Sequence, residues 1–163
     1  MKLLRFGKLE SEKPGIQLDN GQKIDVSGFG EDFDENFFGS NGIQRLQQWL
    51  EHHQGECPQI SDENRLGSPI CRPSKIVCVG LNYAKHAQES GMEVPSEPVL
   101  FFKASSAIIG PFDDVILPKN SIKSDWEVEL AVIIGAKASY VTEADAMDHV
   151  AGYVLHLSLI HIS

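Results

Sequence analysis

Basic residues are scarce in this chain: 14 Lys and Arg stand against 23 Asp and Glu, a formal net charge of −9 with a pI near 5.0. Such a surface repels phosphodiester backbones and anionic headgroups, which argues against nucleic acid or membrane as the main partner. An anionic small substrate would need a metal ion or a local base to offset the charge. Cysteine is equally sparse. Cys57, Cys71 and Cys78 are odd in number and lack metal-ligand spacing, so no disulfide framework is expected and the thiols read as reduced packing residues of a cytoplasmic protein. Long hydrophobic runs are missing too: none approaches the roughly 18–20 apolar residues of a membrane-spanning helix. Met1-Lys2-Leu3-Leu4-Arg5-Phe6 is not followed by the apolar stretch of a signal peptide. What remains is an ordinary globular composition, 42% hydrophobic and 23% charged over 163 residues. That suits one domain, or one small domain and part of another.

The chain is organised around Asp125-Trp126-Glu127-Val128-Glu129-Leu130-Ala131-Val132-Ile133-Ile134-Gly135. Side chains alternate along a strand, so Glu127, Glu129, Ala131 and Ile133 share one face and Trp126, Val128, Leu130 and Val132 the other. A solvated face would carry polar residues at 131 and 133 as well. Ala and Ile there predict a strand buried on both faces beyond Glu129, with two carboxylates where it opens into a pocket. Like charges so close are tolerated if one is protonated or a cation lies between them. A divalent cation is the economical solution, and hard carboxylate oxygens favour Mg²⁺, Mn²⁺ or Ca²⁺ over zinc. The competing reading is an amphipathic edge strand with two exposed glutamates.

Residues 1–70 are polar, turn-rich and weakly periodic, the pattern of a small accessory domain. Strands are predicted at Lys2–Phe6 and Gly15–Leu18, the latter turning at Asp19-Asn20-Gly21 into Lys23–Val26. Glu31–Glu35 reads as a solvated acidic loop. Ile43, Leu46, Gln47 and Leu50 have helical spacing, with Ser40 or Asn41 as cap, and His52-His53 sits where the helix dipole favours cations. Gly67–Ser74 has the composition of a linker. Ile76–Val79 is an apolar run and hence a buried strand. In the helical stretch that follows, His86 and Glu89 are three apart and face one side. A carboxylate beside an imidazole suits a general base, and equally suits a surface ion pair. Gly91–Pro98 is a loop fit to act as a cover. Pro98–Lys103 reads as a buried strand ending in Lys103, a residue placed to bind a substrate anion or to snorkel. Short strands are also predicted at Ala107–Gly110 and Val115–Pro118. Beyond the glutamate strand, a helix is expected at Thr142–Met147, with Thr142 and Asp145 as a near capping box, and a last strand at Val150–Leu155.

Taken together, Ile76–Glu89, Glu97–Lys103, Asp125–Leu130 and Val150-Ala151-Gly152-Tyr153-Val154 resemble the fumarylacetoacetate hydrolase family over about residues 75–156. The preceding Met1–Gly7 and Glu12-Lys13-Pro14-Gly15 resemble the N-terminal domain of its bacterial members. The resemblance implies a mixed α+β, β-rich fold: a small N-terminal domain at 1–70, then the N-terminal part of a mixed β-sandwich roll at 71–156. It implies Glu127 and Glu129 as metal ligands, Mg²⁺ foremost with Mn²⁺ or Ca²⁺ as alternatives. His86 and Glu89 match the water-activating dyad, and Lys103 would lie in the substrate pocket. The implied activity is metal-dependent hydrolysis or lysis of a small anionic β-diketo or α-keto acid, by a homodimer in the full-length form.

The departure comes after Val154. In the family an Asn-Asp pair follows, whose Asp is the third metal ligand; Leu157 and Ser158 stand at those positions here. Residues 157–163 read like a translated transposase-end sequencing adapter, so a non-native tail on a truncated frame is expected. The alternative function is a catalytically inactive metal- or anion-binding module.

Overall fold

The computed structural model describes residues 1–89 and 91–161, with the backbone alone for His86 and His161. The chain forms two compact units, residues 1–71 with 110–161 in one and residues 72–109 in the other.

The first unit begins with β1 (Lys2–Phe6), β2 (Lys13–Gln17), β3 (Lys23–Asp25) and β4 (Leu66–Gly67), an antiparallel sheet in the order β3-β2-β1-β4. Ile16 and Ile24 are register partners on β2 and β3, and both are buried. Against them pack Val26, Phe33, Phe37 and, from the helix above, Leu46 and Leu50, making one continuous apolar core. Two helices supply that layer: α1 (Glu35–Gly39) and α2 (Gly42–His53). The spacing of Ile43, Leu46 and Leu50 forecast α2. Its cap is Asn41, which works by adopting a left-handed conformation at φ 57° rather than through its side chain. Helix α1 was not legible as such. It starts because Asp34 Oδ1 accepts the Phe37 amide at 2.9 Å, and its apolar residues are the adjacent Phe37 and Phe38.

The acidic segment expected to be solvated is instead built into this unit. Arg5, 8% exposed, donates to both oxygens of Asp32 at 2.8 Å, and Arg45 grips Glu31 with its two terminal guanidinium nitrogens. Arg65 extends the network. It donates to Glu12 Oε1 at 2.8 Å, and to Asp113 at 2.7 and 2.6 Å, while the Gly110 amide donates to Asp113 Oδ2 at 2.7 Å. Burial pushes the Glu12 carboxyl up, but hydrogen bonds and the charges of Arg5 and Arg65 hold it below the usual range. Charged groups packed this closely are tolerated because each finds an opposite partner.

In the second unit β5 (Ile76–Gly80) leads into α3 (Ala84–Glu89) and then β6 (Val99–Lys103). β5 and β6 pair antiparallel, from Ile76 opposite Lys103 to Gly80 opposite Val99. Past the end of α3, the Gly91 amide donates to Gln88 O at 3.1 Å and the Met92 amide to Ala87 O at 2.8 Å, a Schellman closure. It needs a left-handed residue, and Gly91 supplies φ 68°.

Returning to the first unit, β7 (Ser124–Ile134) and β8 (Val150–His161) form a long antiparallel ribbon with an irregularity at Ile133/Ile134. The strands expected at Ala107–Gly110 and Val115–Pro118 do not form; Ala107 ends a 3₁₀ turn at Ser105–Ala107, and the rest run as irregular chain around a turn closed by Asp113 N to Gly110 O at 3.2 Å. Nor is Thr142–Met147 an α-helix. The Thr142 hydroxyl donates to Asp145 Oδ2 at 2.7 Å instead of capping a backbone amide, and i→i−3 bonds wind the segment into turns and a 3₁₀ helix at Ala146–His149. β8 extends beyond the expected Leu155 because residues 156–161 keep pairing with β7.

Candidate metal-binding face

Alternation along β7 puts Glu127 and Glu129 on one face, as expected, and their carboxylates are half-buried. Residues two apart on a strand are separated by about 6.6–6.8 Å, so the two carboxylates can approach one ion from neighbouring positions. The register then supplies what the sequence alone did not. Ser158 lies opposite Glu127, and His156 lies opposite Glu129, both on the same face. Directly opposed Cβ atoms are about 4.5–5.5 Å apart, close enough for the four side chains to line one strip. Ser158 is 5% exposed, the most deeply placed residue of that strip.

The opposite face of the ribbon corrects the expectation of a strand buried on both sides. Val128, Leu130 and Val132 are exposed, and Trp126 is 66% exposed. The reason is topological: β7 pairs only with β8, so the apolar alternation that predicts burial has no covering layer among the described residues.

The donor chemistry of the strip fits a hard divalent cation. Mg²⁺ keeps several waters and is held by one or two carboxylates together with substrate oxygens. Glu127 and Glu129 provide two carboxylates. Among the described residues no three His, Cys, Asp or Glu side chains gather as a complete cage, so the glutamates are an open pair.

The other expected site residues lie in the second unit. Glu89 is exposed in the last turn of α3, and Lys103 ends β6, half-buried opposite Ile76. His86 falls in α3, but its side chain lies outside the described residues. A hollow of about 310 Å³ in the N-terminal segment is lined by Glu12, Lys13, Pro14, Ser27, Gly30, Glu31 and Asp32. Its three carboxylates are already engaged by Arg5, Arg45 and Arg65, which leaves little charge for a ligand.

The model of the family described as fumarylacetoacetate (FAA) hydrolase C-terminal matches residues 75–159, which include every expected site residue. The chain belongs to the fumarylacetoacetate hydrolase family. A Burkholderia multivorans protein named "Putative hydrolase" is 46% identical over 153 residues, covering 94% of this chain and 53% of that protein. Among solved structures, fumarylacetoacetate hydrolase from Exiguobacterium antarcticum is 30% identical with a TM-score of 0.77, over 99% of this chain and 56% of that one. Maleylpyruvate hydrolase from Sphingobium sp. SYK-6, in complex with manganese (II) ion and pyruvate, is 25% identical with a TM-score of 0.79, over 98% and 59%. The mixed α+β, strand-rich fold is thus that of the family, and incomplete relative to these longer chains. The chain spans about half the length of the curated relatives it matches.

Proposed function

We propose that this chain carries part of the active site of a divalent-metal-dependent hydrolase acting on a small β-diketo or α-keto acid, at an acylpyruvate-type C–C bond. The observation that best supports this is the pairing of Glu127 and Glu129 on one half-buried strand face inside the family-matched region. Mg²⁺ is the proposed ion and Mn²⁺ the alternative, a choice supported by the manganese and pyruvate bound in the Sphingobium maleylpyruvate hydrolase. When bound, such a cation supplies positive charge that polarises keto-acid oxygens. The chain's own residues do the rest. His86, oriented by Glu89, accepts a proton from water as the oxygen attacks the carbonyl carbon. The electron pair of the broken C–C bond leaves with the keto-acid fragment, and the proton held by His86 returns to that carbon. Lys103 meets the substrate carboxylate. We assign residues 1–70 as an accessory domain and 71–156 as the start of the catalytic domain, with 157–163 as an added tail; the full-length protein is proposed to act as a homodimer in the cytoplasm. No helix among the described residues is long and apolar enough to cross a membrane.

The test is turnover of an acylpyruvate by the chain continued to the length of its relatives, before and after chelation and with Mg²⁺ or Mn²⁺ restored. Glu127→Ala and Glu129→Ala should abolish the metal-restored rate. His86→Ala should lower kcat by about 10²–10⁴-fold, the range for a lost general base, with metal affinity retained. Activity that survives chelation would overturn the metal assignment. Metal binding without turnover would favour the inactive binding module.

A further inference from the structure

The half-buried face of β7 and β8 changes character along its length. At its base Ile133 pairs with Gly152 and Ala131 with Val154, all half-buried and none carrying a polar side chain. One step further Glu129 pairs with His156, and Glu127 follows on β7. His156 is half-buried as well, so its ring stands between an apolar floor and the glutamate pair. The register that places it there is carried by residues 152–156, within the stretch assigned to the catalytic domain.

Neither Glu129 nor His156 has a hydrogen-bond or ion-pair partner among the described residues. Half-buried polar groups are stabilised by finding one, and each is the nearest cross-strand neighbour of the other. Directly opposed Cβ atoms, about 4.5–5.5 Å apart, bring an imidazole nitrogen within reach of a glutamate oxygen. Neutral imidazole always keeps one N–H, and an ionised carboxylate accepts at about four lone-pair sites, so Glu129 can take that N–H and still present lone pairs to a cation. The ring is less suited to be a ligand itself. Hard divalent cations take oxygen, whereas imidazole suits softer transition ions, and no three His, Cys, Asp or Glu side chains gather as a cage among the described residues. We propose that His156 is a positioning residue: its N–H holds the Glu129 carboxylate in the orientation that meets the cation beside Glu127, and so raises metal affinity without touching ion or substrate. The inference deepens the metal assignment of Glu127 and Glu129 and rests on it.

The experiment titrates the chain continued to the length of its relatives with Mn²⁺, following the electron paramagnetic resonance signal of the free ion. His156→Ala should weaken Mn²⁺ binding by about 10–100-fold, the range for a lost partner of a metal ligand. His156→Gln, which keeps an N–H donor, should restore most of the affinity, and His156→Leu, which keeps bulk alone, should not. Saturating Mn²⁺ should return kcat of His156→Ala to near the wild-type value, because the imidazole touches none of the reacting atoms. In the wild type, which needs no variant to fold, pulsed resonance should show no coupling from a directly bound imidazole nitrogen. Equal affinity in wild type and His156→Ala, failure of Gln to rescue, or a directly bound nitrogen would each overturn the inference while leaving Glu127 and Glu129 as ligands. A wild type that binds no Mn²⁺ would overturn the metal assignment, and the inference with it.

Discussion

Arg65 donates at once to Glu12, to both oxygens of Asp113 and to the Gly7 carbonyl, the last at 3.1 Å. Arg65→Ala would strip Glu12, whose side chain is 9% exposed, of its 2.8 Å partner and leave the more distant Arg5 contact at 3.9 Å. Stranding a charge-assisted partner costs about 2–4 kcal/mol, which a urea titration would resolve. Arg65→Lys should recover only part of this, because an ammonium cannot form the fork to Asp113. The pH dependence has a defined sign. Asp113 is held below its ordinary value of 3.8 by the Arg65 hydrogen bonds and then by the Gly110 amide, and Glu12 below 4.5 as described. Lowered folded-state values contribute stability that is full above the unfolded values and is lost as pH falls through the folded ones. Wild type should therefore lose this increment below about pH 4, and the slope should flatten in Arg65→Ala. None of this network was legible in the sequence, where its members lie 48 and 53 residues apart. Glu127 and Glu129 were legible because alternation needs only neighbours. Their opposite residues, His156 and Ser158, needed a register.

The joint between α1 and α2 gives two glycines opposite signs. A Cβ on Gly42 would sit 2.3 Å from Phe37 O and 2.4 Å from its ring, whereas one on Gly39 meets nothing within 4 Å. In an open helix, Gly→Ala stabilises by up to about 1 kcal/mol. Gly39→Ala should therefore raise the thermal midpoint. Gly42→Ala should lower it, by overpacking worth about 1–3 kcal/mol, and differential scanning calorimetry would show both. At this scale the sequence was informative where an element makes its own pattern. Helix α2 and strand β7 followed from periodicity; β5 and β6 followed from continuous apolar runs, though Val77, Val79 and the residues of 99–102 are exposed rather than buried, because each strand pairs with the other and no layer covers them among the described residues. Ile108-Ile109 and Val115-Ile116-Leu117 carry the same apolar signal, yet form no strand, because a run of apolar residues does not specify a partner. At Thr142–Asp145 the near capping box does not cap a helix: the Thr142 hydroxyl donates to Asp145 Oδ2 and the segment winds into turns.

Among the described residues, burial is concentrated in the N-terminal segment. The continuous core belongs to residues 16–50, while the long ribbon has one apolar face exposed. Protection from hydrogen exchange follows burial more than the number of backbone bonds. Amides of β2 and α2 should exchange slowly, and those of β7 and β8 should exchange much faster despite their long antiparallel register. Exchange followed by mass spectrometry would show this, and uniform protection would refute it.

The reach of Arg65 to Asp113 also sets a timetable. A ribosome adding about 5–20 residues per second needs roughly 2–10 s to pass from the arginine to its aspartate. Every residue of the N-terminal core, and Glu12 itself, has been synthesised before that aspartate exists. The nascent chain can complete its first packed layer and hold the Arg65–Glu12 pair while residues 72–109 are still being added, so the fork to Asp113 is the later event that fastens the returning chain to a base already formed.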